Sequence, residues 1–170
     1  LSNKSKYRLK DNFLRFYLRC VEPNLIKIRE GLLEHTSLNS TPGWHSILGL
    51  QFENLILNNI KLVLIKLNIS FNDIVFFGPH FQQKTKSKKG CQIDLLIQTR
   101  TNILYICEIK FHSHRINLEI IETMKEKIAR LDTPKQYSCI PVLIHANGIT
   151  DELDDTKYFP YLINVSDLLS

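Results

Sequence analysis

An α/β fold with a mixed sheet flanked by helices is what this chain predicts, and three patterns predict it. An apolar helical repeat runs from about Trp44 to Leu67. Three β-rich runs follow, between Asp73 and Phe111. An amphipathic helical stretch and a short apolar run, CIPVLIHA, come next. Helix, three strands, helix, strand, then a small addition, is the order of a layered α/β core.

The opening, KYRLKDNFLRFYLRCVEPN, places apolar residues at Phe13, Leu14, Phe16, Tyr17, Leu18 and Val21. That spacing predicts a helix, with Asp11 as N-cap and Pro23 as a stop. NLIKIREGLL predicts a second short helix ending near Gly31, and LEHTSLNSTPG reads as a loop. In the long helix, Glu53 shares a face with Gly49, Ile56, Leu57 and Ile60, so it is expected to point inward. Gly49 is expected to admit a close backbone neighbour, and Trp44 to anchor packing.

DIVFFGPHFQQKT predicts one bent strand, or two short ones broken at Gly78-Pro79. Cys91 to Gln98 and Ile103 to Phe111 predict strands joined by the TRTN turn into a hairpin. Ile116 to Leu131 is the amphipathic helix. CIPVLIHA reads as a buried strand, with Pro141 at its start or on an edge. YFPYLINVSDLL predicts a last strand and a helix start capped by Ser166.

The chain has 170 residues, 44% hydrophobic and 23% charged, which suits one globular domain with a small appendage. No apolar run approaches the roughly 20 residues of a membrane span, so no membrane association is expected. Four cysteines at 20, 91, 107 and 139 form no Cys-x-x-Cys pair. They read as reduced thiols of a cytoplasmic protein. The net charge of +5 favours polyanions. Lys84, Lys86, Lys88 and Lys89 crowd into QQKTKSKKG, which reads either as a solvated hairpin tip or as a phosphate-contacting segment.

The chemistry concentrates in CQIDLLIQ and NILYICEIK. Strand alternation puts Asp94 with Leu96 on one face, opposite Ile93, Leu95 and Ile97, and puts Glu108 with Lys110 on one face. Pairing through the turn brings Asp94 and Glu108 near each other. Adjacent carboxylates repel unless a cation lies between them. Oxygen ligands of this kind suit Mg²⁺ or Mn²⁺. Glu53 is placed to complete the metal shell, and Lys110 to act on water or phosphate. The set fits metal-assisted phosphodiester hydrolysis. The same residues also read as a buried ion-pair cluster that only fixes strand register. His112, His114 and His145 read more simply as exposed or satisfied side chains than as ligands.

Glu53 in GLQFENL, Asp94 in CQIDLLI, and Glu108 and Lys110 in CEIK resemble the signature of the PD-(D/E)XK nuclease superfamily. The resemblance implies a restriction-endonuclease-like αβββαβ core over residues 41–170, preceded by an N-terminal helical segment over 1–40. It implies Lys125 and Lys127 as phosphate contacts on the following helix. Ile93 stands where the family's name has proline. KDNFLRFYLRCVEPN, PGWHSILGLQFENLIL, GCQIDLLIQT, LYICEIKF and PVLIHANG further resemble the nuclease-like C-terminal region (DUF234-like) of archaeal and bacterial AAA-type ATPases. That implies DNA as partner, held by its backbone, and an ATPase region in the same polypeptide. A start at Leu1 agrees with an excised C-terminal part, and no P-loop motif is present. Two functions are expected as alternatives: a Mg²⁺-dependent nuclease, for which the resemblance allows a homodimer, as in many of its type, or an inactive module that binds DNA or docks on the ATPase.

Overall fold

Asp11 starts the first helix as its position predicts, its carboxylate accepting the Leu14 N–H at 2.8 Å. The structure, a computed structural model, describes residues 9–85 and 89–169. Helix α1 (Asn12–Phe16) runs into a π-helical turn, Tyr17–Val21, and a 3₁₀ turn, Glu22–Asn24, before α2 (Leu25–Arg29). Pro23 therefore does not stop the helical path. It sits at the start of the 3₁₀ turn, where a missing N–H removes no bond. Gly31, at φ +69°, follows α2 in the left-handed conformation that closes helices.

The long helix of the sequence reading is two helices, α3 (Trp44–Asn58) and α4 (Ile60–Lys66). Asn59 breaks it. Its side-chain amide donates to Leu55 O at 2.8 Å, a local bond that competes with helix continuation. Trp44 anchors packing as expected, meeting Phe16 edge-on at 6.1 Å between ring centres. Gly49 does not admit a close neighbour: a Cβ built there meets no described atom within 4 Å. The described residues divide after Asn54 into two compact units.

The second unit carries a five-stranded sheet in sequence order: β1 (Ile74–Gln82), β2 (Cys91–Thr99), β3 (Ile103–Lys110), β4 (Ser138–His145) and β5 (Tyr161–Asn164). The first three pair antiparallel; β3–β4 and β4–β5 pair parallel. Helix α5 (Glu119–Arg130) connects β3 to β4, and α6 (Asp151–Asp155) connects β4 to β5. The fold class is therefore the α/β mixed sheet that the sequence predicts. Pro141 lies inside β4, one residue before the β5 ladder begins at Val142, so its missing N–H breaks no bond to β5. Ile116 does not start α5. It forms a parallel bridge with Ile149 instead. Ser166 is the first residue of α7 (Ser166–Leu169), and the Asn164 carboxamide accepts its N–H at 3.1 Å.

One core cluster joins Leu96, Leu104, Ile106 and Leu143 of the sheet to Ile120 and Met124 of α5. Burial of each such side chain contributes about 1.5–3 kcal/mol. The β2–β3 turn uses three residues, with Asn102 left-handed at φ +59°. Thr99 Oγ1 bonds both the N–H and the carbonyl of Ile103 and closes it.

Candidate active site

A β-bulge aims Asp94. Gly78 pairs with Leu96, but His80 pairs with Ile93, so β2 carries one more residue than β1 across this interval. Pro79 lies opposite the extra residue, where its missing N–H leaves no rung unfilled. The bulge corrects the alternation read from the sequence. Ile93 joins the same core cluster as Leu96 instead of facing the opposite way, and the whole stretch Ile93–Ile97 is buried.

The β2–β3 register runs through Leu95↔Cys107. One step further it sets Asp94 beside Glu108, as the hairpin symmetry predicts. There the backbone ladder gives way to a side chain: Asp94 Oδ2 accepts the Ile109 N–H at 3.1 Å. Asp94 is 8% exposed and Glu108 only 1%.

Two ammonium groups hold Glu108. Lys110 Nζ lies 2.8 Å from Oε1, and Lys127, reaching across from α5, bonds Oε2. Both lysines keep a solvent-facing part, at 31% and 22% side-chain exposure. They snorkel from the pair toward solvent. Oε1 faces the Lys110 ammonium but off the hydrogen-bond direction, so this buried oxygen retains lone-pair capacity. Charge pairing answers the cost of ionising a glutamate at this depth.

The two carboxylates are oxygen donors of the kind a hard divalent cation takes, with lone-pair capacity left on Glu108, while the Lys110 and Lys127 ammonium groups face the same acid. Among the described residues, no group of three or more His, Cys, Asp or Glu side chains is gathered to hold a metal. What the second unit offers is the pair Asp94 and Glu108. Glu53 is half-buried on α3 in the first unit.

The remaining candidates separate clearly. Lys84 and Lys89 are exposed, while Lys86 and Lys88 lie outside the described residues. Lys125 is exposed on α5, bonded to Glu122 at 2.7 Å, and does not join Lys127 at Glu108. That bond to Glu122 holds its pKa above the usual lysine value. His112 and His114 are exposed, with ring centres 5.3 Å apart. Partial burial lowers the His112 pKa, and Lys110 and His114 add to the effect. His145 is buried and satisfied, its Nδ1 accepting the Gly148 N–H at 3.2 Å. It pairs with Lys110 across β3 and β4. Burial, with the Asp94 charge behind it, pushes the Cys107 thiol far up, so it is no nucleophile. All four cysteines are free.

Sequence reasoning missed the Lys127–Glu108 bond and the bulge. The sequence puts Lys127 on an amphipathic helix, but only the docking of α5 shows which acid it meets. Gly78-Pro79 was the visible sign of the bulge.

No family model matches the chain. The uncharacterised protein MJECL04 of Methanocaldococcus jannaschii is 37% identical over 67 residues, a match spanning 39% of this chain and 14% of that protein. The chain therefore covers only a small part of that relative's length. A crystal structure of a repair endonuclease from Pyrococcus abyssi is similar with a TM-score of 0.41 and 13% identity, over 65% of this chain and 43% of that one. A protein of unknown function, AF1548, is similar with a TM-score of 0.47 and 12% identity, over 67% of this chain and 64% of that one.

Proposed function

We propose that the chain is a nuclease domain that hydrolyses DNA phosphodiester bonds with Mg²⁺ or Mn²⁺. The observation that carries this reading is the Asp94–Glu108 pair, buried side by side at a bulge with Lys110 and Lys127 set around it. Such desolvated, charge-dense clusters favour function over stability. Asp94 and Glu108 would hold the cation. When bound, it supplies Lewis-acid activation of water and neutralises charge on the phosphoryl oxygens. Lys110 keeps an ammonium at the mouth of the pair, where it orients the attacking water and stabilises charge developing on the phosphate. Lys84 and Lys89 contact backbone phosphates without reading bases. In the larger polypeptide this domain would serve an AAA-type ATPase.

The test is calorimetric titration with Mg²⁺ and Mn²⁺ on wild type and Asp94→Ala, with DNA cleavage measured on the same samples. The expected result is metal binding lost in Asp94→Ala, with cleavage reduced by at least about 100-fold in both Asp94→Ala and Lys110→Ala. Unchanged cleavage in both variants would sink the assignment.

A second reading has its own observation. Both Glu108 oxygens already face ammonium groups, so the acid is charge-compensated without any metal. That suits an inactive module that binds DNA or docks on the ATPase. It predicts DNA or partner binding, no metal heat and no cleavage.

A further inference from the structure

We propose that a second cleft, on the α5 side of the sheet, is a nucleobase pocket. The cavity measures about 350 Å³, within the range of about 300–1,000 Å³ for small-ligand sites. Its floor is Leu96 and Leu104, both buried. Phe76 and Tyr137 line it with aromatic rings. Phe76 is 42% exposed on strand β1, so its ring is open to stack with an incoming planar group. Gln98 Nε2 donates to the Tyr137 hydroxyl at 2.8 Å. That bond orients both groups and leaves an amide oxygen to accept and a phenolic proton to donate. Apolar faces, with a donor and an acceptor from the Gln98–Tyr137 pair and the Asp132 carboxylate also in the lining, match the faces and pairing edge of an unstacked base. His80, also in the lining, has its pKa lowered by burial and so adds a neutral imidazole at neutral pH.

The pocket shares a strand with the acid pair. Leu104 lies four residues before Glu108 on the same face of β3, roughly 13 Å at about 3.3 Å per residue. A single strand whose phosphate sits beside the Lys110 ammonium therefore reaches the pocket with a base a few nucleotides along. This assignment of the base to a DNA strand rests on the nuclease reading; the pocket chemistry itself does not.

The experiment uses single-stranded DNA oligonucleotides carrying 2-aminopurine, with no metal added, and matched oligonucleotides with one abasic position. Adenosine monophosphate is the free-nucleotide probe. Wild type is expected to change 2-aminopurine fluorescence and to bind the intact strand about ten-fold tighter than the abasic one. Phe76→Ala, with its fold checked by circular dichroism, is expected to lose that discrimination. Gln98→Leu serves as the second variant, expected to lose it in part. Equal binding of intact and abasic strands, together with no saturable binding of adenosine monophosphate, overturns the pocket. Phe76-dependent binding of adenosine monophosphate without strand discrimination keeps the pocket and makes its ligand a free nucleotide. Strand discrimination that persists while wild type shows no metal heat keeps the pocket and sinks the nuclease reading instead.

Discussion

Strand β1 and the β2–β3 hairpin reverse the usual partition of side chains. On β1, Val75, Phe76, Phe77 and Phe81 are exposed. On the hairpin, an aspartate and a glutamate are buried. Apolar residues ordinarily contribute by leaving water, and carboxylates by staying in it. Both departures lie on neighbouring strands of one sheet, and the bulge between them joins the two. A strand designed only for stability would place its phenylalanines inward and its acids outward. The contrast sets an exposed apolar face on β1 against a charge-holding hairpin beside it.

The contrast breaks most sharply at Glu108. Glu108→Ala leaves two partly buried ammonium groups facing a void. Removing one partner of a buried ion cluster costs about 3–5 kcal/mol, so urea unfolding should show a lowered midpoint with little change in slope. A variant as stable as wild type would mean that the lysines relax into solvent and that the cluster is not structural. Glu126→Gln, which breaks an exposed pair with Arg130, should move stability by no more than about 0.5 kcal/mol.

Apolar truncations sharpen the same comparison. Leu95 is fully buried on β2, and Leu95→Ala is expected to cost about 2–5 kcal/mol. Phe77 is 48% exposed on β1. Despite removing a larger side chain, Phe77→Ala should cost well under half as much. If the two costs are equal, β1 is covered in solution by a partner or a second copy.

Much of this was legible in the sequence because it depends on local pattern. The hairpin followed from alternation around a turn with Asn102 at its left-handed position. The pairing of Asp94 with Glu108 followed from counting out from that turn. The single long helix failed because Asn59 looks tolerable by period alone; its side chain bonding back to Leu55 is a competition between two local structures that apolar spacing does not register. The side of Ile93 was misread because a one-residue bulge inverts every face beyond it. Lys127 was placed on α5 correctly, but its partner is set by how the helix docks on the sheet. Long-range pairings of that kind leave no periodic trace.

The smallest expected effect concerns acid. Burial lowers the pKa of both His80 on β1 and His145 on β4. The unfolded chain takes up these protons near pH 6.5, while the folded chain resists until lower pH. The unfolded state then binds more protons, so stability falls as pH drops below about 6.5 and is unaffected by these groups well above it. Thermal midpoints from pH 7.5 to 5.5 should show this decline, and His145→Asn should flatten it more than His80→Asn, because His145 is the more buried of the two. The Asp167 carboxylate opposes the effect of burial at His145 by favouring the charged ring. Asp167→Asn should therefore steepen the acid loss. A slope unchanged by Asp167→Asn, in a chain where His145→Asn does flatten it, would mean that burial alone sets that histidine and that the carboxylate is screened by water.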